Sequence, residues 1–143
     1  MLPRTAIRIL RVSIALTVIG YGSGNKIQAQ VFDFEHSSPQ SLSLDGRVRF
    51  HLGDDPDGKL GWAATMFDDS QWTLLRSDLP WSEQGYWGYG GFAWYRFQVV
   101  MPTHPEALGI LFPRVRTSYE IFADGKSVGQ FGGMPPHGRF VIG

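Results

Sequence analysis

The sequence predicts an all-β chain folded as a β-sandwich. Three observations carry that reading. No segment after residue 30 sustains the 3.6-residue apolar period of an amphipathic helix. Several short stretches alternate apolar and polar residues instead, the two-residue period of half-buried strands. The 18 glycines and 9 prolines of the 143-residue chain gather between those stretches, where turns are needed. With 43% apolar and 14% aromatic residues the chain can bury a core of one domain.

Residues 1–29 read as a secretory signal peptide. Arg4, Arg8 and Arg11 make a positive start, and VSIALTVIG (12–20) follows as an apolar run. Ile27-Gln28-Ala29 then places a small residue before a cleavage point, although Ile27 is larger than usual for its position. The apolar run is too short for a spanning helix, which takes roughly 20 residues. An uncleaved anchor is the alternative. Without this segment the chain keeps nine basic and thirteen acidic residues, a net charge of −4. Such a body has no electrostatic attraction for nucleic acid or anionic lipid. There is no cysteine, so an exported domain depends on its core.

Residues 30–143 are expected to form the sandwich. Leu42 and Leu44 alternate with serines, as in an edge strand. In RVRFHL, Val48, Phe50 and Leu52 share one face, and Arg47, Arg49 and His51 the other. GDDPDGKLGW (53–62) is a loop. Its Asp54, Asp55 and Asp57 are weak calcium candidates, since no closing glutamate follows; ordinary turn chemistry is the default. In FDDSQW (67–72), Asp68-Asp69-Ser70 marks a tight corner between two aromatic anchors.

SDLPWSEQGYWGYGG (77–91) is a loop rich in rings and glycines that feeds the strand FAWYRFQVVM. Ala93, Tyr95, Phe97, Val99 and Met101 should face the core; Pro102 stops the strand. LGILFP (108–113) suits a buried strand. In YEIFADGKSVG, Asp124-Gly125 is a two-residue hairpin turn. The last residues, FVIG, read as the start of a strand, so the sandwich is expected to be incomplete at the C-terminal end.

Four pieces in order, FDDSQW (67–72), LPW (79–81), GFAWYRFQVVMP (91–102) and YEIFADGKSVG (119–129), resemble the sugar-binding N-terminal domain of glycoside hydrolase family 2. Asp124 stands where that pattern has asparagine. The resemblance implies a jelly-roll sandwich of the galactose-binding-like fold. RFHLGDD, GGFAWYRF and TSYEIFADGKSVGQFGGMPP are more similar still to extracytoplasmic sensor domains of bacterial membrane signalling proteins. Their output modules are serine phosphatases, histidine kinases or diguanylate cyclases. This resemblance implies a non-catalytic sensing domain, in the periplasm or on the outer face of the cytoplasmic membrane. Its partners would be a saccharide or other small ligand and the remaining membrane or catalytic part of the same protein. The alternatives are the sugar-binding arm of a family 2 hydrolase, whose catalytic acids lie in a later barrel domain, and a free carbohydrate-binding module.

No catalytic set emerges from the residues. A glycosidase needs two carboxylates across a cleft, yet Asp54, Asp55, Asp57, Asp68 and Asp69 sit in turn contexts. Glu83 lies in the ring-rich loop and Glu120 beside the hairpin. His36, His51, His104 and His137 show no metal spacing, and no nucleophile-elbow or phosphate-cradling motif is present. No cofactor is implied. Tyr95 and Phe97 are assigned to the core, whereas Trp81, Tyr86, Trp87 and Tyr89, with Arg96 and Glu120 as polar partners, are the candidate ligand contacts. Aromatic faces stack on sugar rings, and the glycines among them leave room for a ligand.

Overall fold

The computed structural model describes residues 9–16, 28–34, 41–101, 109–111 and 118–133. Among them the architecture is all-β. Seven strands form one sheet: β1 (Ile9–Leu16), β2 (Val31–Asp33), β3 (Arg47–Leu52), β4 (Thr73–Arg76), β5 (Phe92–Val100), β6 (Tyr119–Ala123) and β7 (Lys126–Phe131). The strand order is β4-β3-β5-β1-β6-β7, with β2 also paired to β5. A single 3-10 turn, Trp81–Gln84, is the only helical element among the described residues.

β5 organises the fold. On one edge it pairs in parallel with β1 along nearly its whole length. On the other it pairs antiparallel with β3 from Ala93 to Arg96, then parallel with β2 from Gln98 to Val100. Seven of its nine residues are buried, so it is covered on both faces. The expected core face holds. Ala93, Tyr95, Phe97 and Val99 pack with Phe32, Val48, Phe50, Leu75, Trp81 and Ile121, and Met101 is partly buried against them. Val48 and Phe50 are fully enclosed. Arg47 pairs with Arg76 and Phe50 with Thr73, which sets β4 against β3. The opposite face carries a smaller layer of Trp62, Trp72 and Trp94. Side chains thus pack against both faces of the sheet, and the all-β layering agrees with the expected β-sandwich.

Two expected strands are different. Leu42 and Leu44 lie on irregular backbone, yet both still pack against the core. The two-residue period there records alternate burial without a hydrogen-bonded ladder. Gly109–Leu111 of the expected buried strand is also irregular, and Leu111 is exposed. The inner edges of β5 and β6 are taken by β1, so that run finds no place between them. Conversely, Ile9–Leu16, inside the stretch read as a leader, is a strand of the sheet. Pro102, the remainder of the LGILFP run, the FVIG end and most of residues 1–29 lie outside the described residues.

The hairpin turn follows its sequence signal. Asp124 (φ 47°) and Gly125 (φ 79°) both adopt positive φ, as a two-residue turn matching strand twist requires. β7 returns from Lys126, which pairs with Ala123.

Candidate ligand-binding cleft

The 53–72 segment covers the tryptophan face of the sheet through a series of tight turns. Gly53, at φ 110°, donates its N–H to the Phe92 carbonyl at 2.9 Å, leaving β3 for the loop. Asp55 then ties the loop to itself. Its carboxylate accepts the N–H groups of Leu60 and Trp62, both at 3.0 Å, and is almost fully enclosed. Those bonds satisfy donors that the turn would otherwise leave buried and unpaired. Trp62 is thereby delivered into the layer, with ring centroids 5.4 Å from Trp72 and 5.8 Å from Trp94, near-perpendicular in each case. His51 packs 4.7 Å from Trp62 and 5.1 Å from Trp72.

Arg96 locks the far end of that segment. Only 4% exposed, it donates through Nε to Asp69 at 2.9 Å, and through its terminal nitrogens to the carbonyls of Trp62 and of Ala64, the latter at 3.1 Å. Its guanidinium also stands over the Phe67 ring at 5.4 Å. Arg49 adds a second, longer ion pair to Asp69 at 3.7 Å. In the same corner Asp68 accepts the Ser70 N–H at 3.0 Å, and the hydrogen bonds from Ser70 hold its carboxyl below the ordinary 3.8. The FDDSQW corner is thus a structural joint.

The β6–β7 hairpin stands opposite this loop. Phe122 stacks on Trp94, centroids 5.4 Å apart and planes 20° from parallel. The tip rests against the loop, where Thr65 Oγ1 donates to Asp124 at 3.4 Å. Between loop and hairpin lies a cleft of about 740 Å³. Trp94 and Phe122 supply its aromatic lining, Asp55, Glu120 and Gln130 its polar lining, and glycines occur on both sides. Glu120 accepts a hydrogen bond from Ser127 at 2.9 Å. The volume lies in the range of small-molecule sites, and the mixture of apolar surface with a few polar groups is what such sites use.

Of the ligand contacts expected from the sequence, Glu120 alone lines this cleft, joined by Asp55 from the calcium candidates. Trp81, Tyr86 and Tyr89 are brought together on the other face of the sheet. Pro80 and the 3-10 turn fold the chain back, with Gly85 closing the turn at φ 101°. Trp81 is buried 6.1 Å from Phe50, and Tyr86 lies 5.0 Å from the same ring. Tyr89 packs 6.2 Å from Trp81 and donates its hydroxyl to the Phe92 carbonyl at 2.9 Å. These rings seal one end of the core. Trp87 stands apart, 89% exposed, and Arg96 is enclosed beneath the loop. Trp94, Phe122 and Gln130 were missed. Trp94 and Phe122 alternate out of phase with the core faces of β5 and β6, a signal that could have placed them on one surface.

The calcium candidates serve the loop. Asp54 accepts the Trp94 indole N–H at 3.4 Å, and Asp57 pairs with Lys59 at 2.6 Å, an interaction that lowers its pKa from 3.8. Among the described residues no three His, Cys, Asp or Glu side chains gather as a metal site; His36, His104 and His137 lie outside them. No family model matches the chain, and neither a curated protein nor a solved structure matches it.

Proposed function

We propose that this chain is a non-catalytic recognition domain that holds a saccharide in the cleft between the 53–64 loop and the β6–β7 hairpin. The carrying observation is the composition of that cleft. Phe122, half-buried and backed by the enclosed Trp94, offers aromatic surface to the apolar face of a sugar ring, while Glu120 and Gln130 offer an acceptor and an amide to its hydroxyls. The jelly-roll reading, the leader-like N-terminus and the resemblance to extracytoplasmic sensor domains support a place on the outer side of a bacterial membrane. There, binding would favour one arrangement of the domain relative to the rest of a signalling protein. The sugar-binding arm of a family 2 glycoside hydrolase is the second reading. The same four sequence pieces favour it, and it uses the same cleft.

Calorimetry with a panel of neutral saccharides tests the proposal. Gln130→Ala and Glu120→Gln should each weaken binding about tenfold, equivalent to about 1.4 kcal/mol. Trp87→Ala should leave it unchanged. No binding across the panel counts against recognition of sugars. Loss of binding in Trp87→Ala alone moves the site to the aromatic loop.

A further inference from the structure

β1 holds an unusual position. It runs parallel to both neighbours, from Ile9 opposite Phe92 to Leu16 opposite Val99 on β5, and from Leu10 opposite Tyr119 to Ile14 opposite Ala123 on β6. β6 otherwise pairs only with β7. Among the described residues, no backbone hydrogen bond joins the β6–β7 hairpin to the rest of the sheet except through β1. Yet β1 lies within the segment with the arginine-rich start and the apolar run VSIALTVIG. Leaders of that type are removed on export, whereas this strand joins two parts of one sheet. The two roles exclude each other in a single molecule.

We infer that the gap between β5 and β6 is a strand-acceptor site with an exchangeable occupant. Ile9–Leu16 fills it while the N-terminal segment is attached. An extended apolar peptide enters in the same parallel register once that segment is gone. Two facing strand edges present N–H and C=O groups that a single inserted strand satisfies on both sides. Left empty, they are open edges of the kind that recruit another chain. The register defines the class of occupant. Leu10, Val12, Ile14 and Leu16 stand opposite Ala93, Tyr95, Phe97 and Val99, the core residues of β5, so the peptide must be apolar at every second position. Arg11 and Ser13 hold the intervening register positions, opposite Trp94 and Arg96.

Occupancy also reaches the cleft. Glu120, Phe122 and Gln130 belong to the hairpin that β1 anchors, so the inserted strand fixes one wall of the site. The inference itself rests on backbone pairing and not on what the cleft binds.

The test uses the full chain with a protease recognition sequence in place of residues 21–26, cut after folding. The probe is a labelled synthetic peptide of Ile9–Leu16, with a Val12→Pro version as control, because proline removes a ladder donor. Excess peptide should displace the cut N-terminal piece, remain bound and keep amide exchange slow over Phe92–Val99 and Tyr119–Ala123; the proline peptide should do neither. If the cut chain unfolds when the piece leaves, the peptide should restore it. Three results overturn the inference. They are a piece that excess peptide never displaces, strands that stay protected with the piece gone and no peptide captured, and an unfolded cut chain that the peptide fails to rescue.

Discussion

Arg96 illustrates how a charged residue is made structural. It is enclosed, paired with Asp69 and bonded to two loop carbonyls. Removing one partner of a buried pair leaves the other uncompensated. Arg96→Ala should therefore destabilise the protein by about 3 kcal/mol, the lower end for such pairs because Arg49 remains beside Asp69. Arg96→Lys should recover little, since one ammonium cannot reproduce the forked set of donors. Denaturant titration measures both. Trp87 is the opposite case. At 89% exposure its replacement by phenylalanine should change stability by less than about 0.5 kcal/mol.

Two predictions belong to elements. In β5, burial pushes the Tyr95 phenol well above its ordinary 10.0, with the charge of Tyr86 adding to the effect. Above pH 10 the unfolded chain releases that proton while the folded chain keeps it. Stability should then fall by about 1.4 kcal/mol per pH unit from this residue, until the folded group also ionises. Tyr95→Phe should flatten the alkaline limb of a stability-against-pH curve relative to the parent. In the hairpin, a methyl at Gly125 would meet the Ala63 carbonyl at 3.7 Å, an ordinary contact. Its cost is conformational, because φ is positive there. Gly125→Ala should lose about 1–2 kcal/mol in thermal unfolding.

At the scale of the molecule, the strand-forming core was largely legible in the sequence. β3, β5 and the β6–β7 hairpin carry strong alternation or a turn dipeptide, local signals that survive into the fold. The cleft was far less legible. Its lining comes from a loop and a hairpin about sixty residues apart, and only the sheet brings them together. The aromatic loop was ambiguous because rings serve a core as well as a ligand: Trp81 and Tyr86 pack on Phe50, and Tyr89 packs on Trp81. Nor did local pattern reveal β1, whose apolar run fits an export leader and a buried strand equally well. As a whole-molecule consequence, a chain beginning at Gln30 lacks β1. It should self-associate through its open β5 and β6 edges, which sedimentation velocity would detect as dimers or larger species.

The placement of the five tryptophans has a spectroscopic consequence. Trp62, Trp72, Trp81 and Trp94 are enclosed, and Trp87 alone meets solvent. Ultraviolet emission should divide into a short-wavelength component from the enclosed indoles and a red-shifted one that iodide quenches. Trp87→Phe would strip away the second, leaving light that comes wholly from the interior. Trp62, Trp72 and Trp94 lie close enough to share excitation, so a disturbance at any one of them should dim the group. The protein thus carries its own optical gauge of whether the loop and hairpin remain seated.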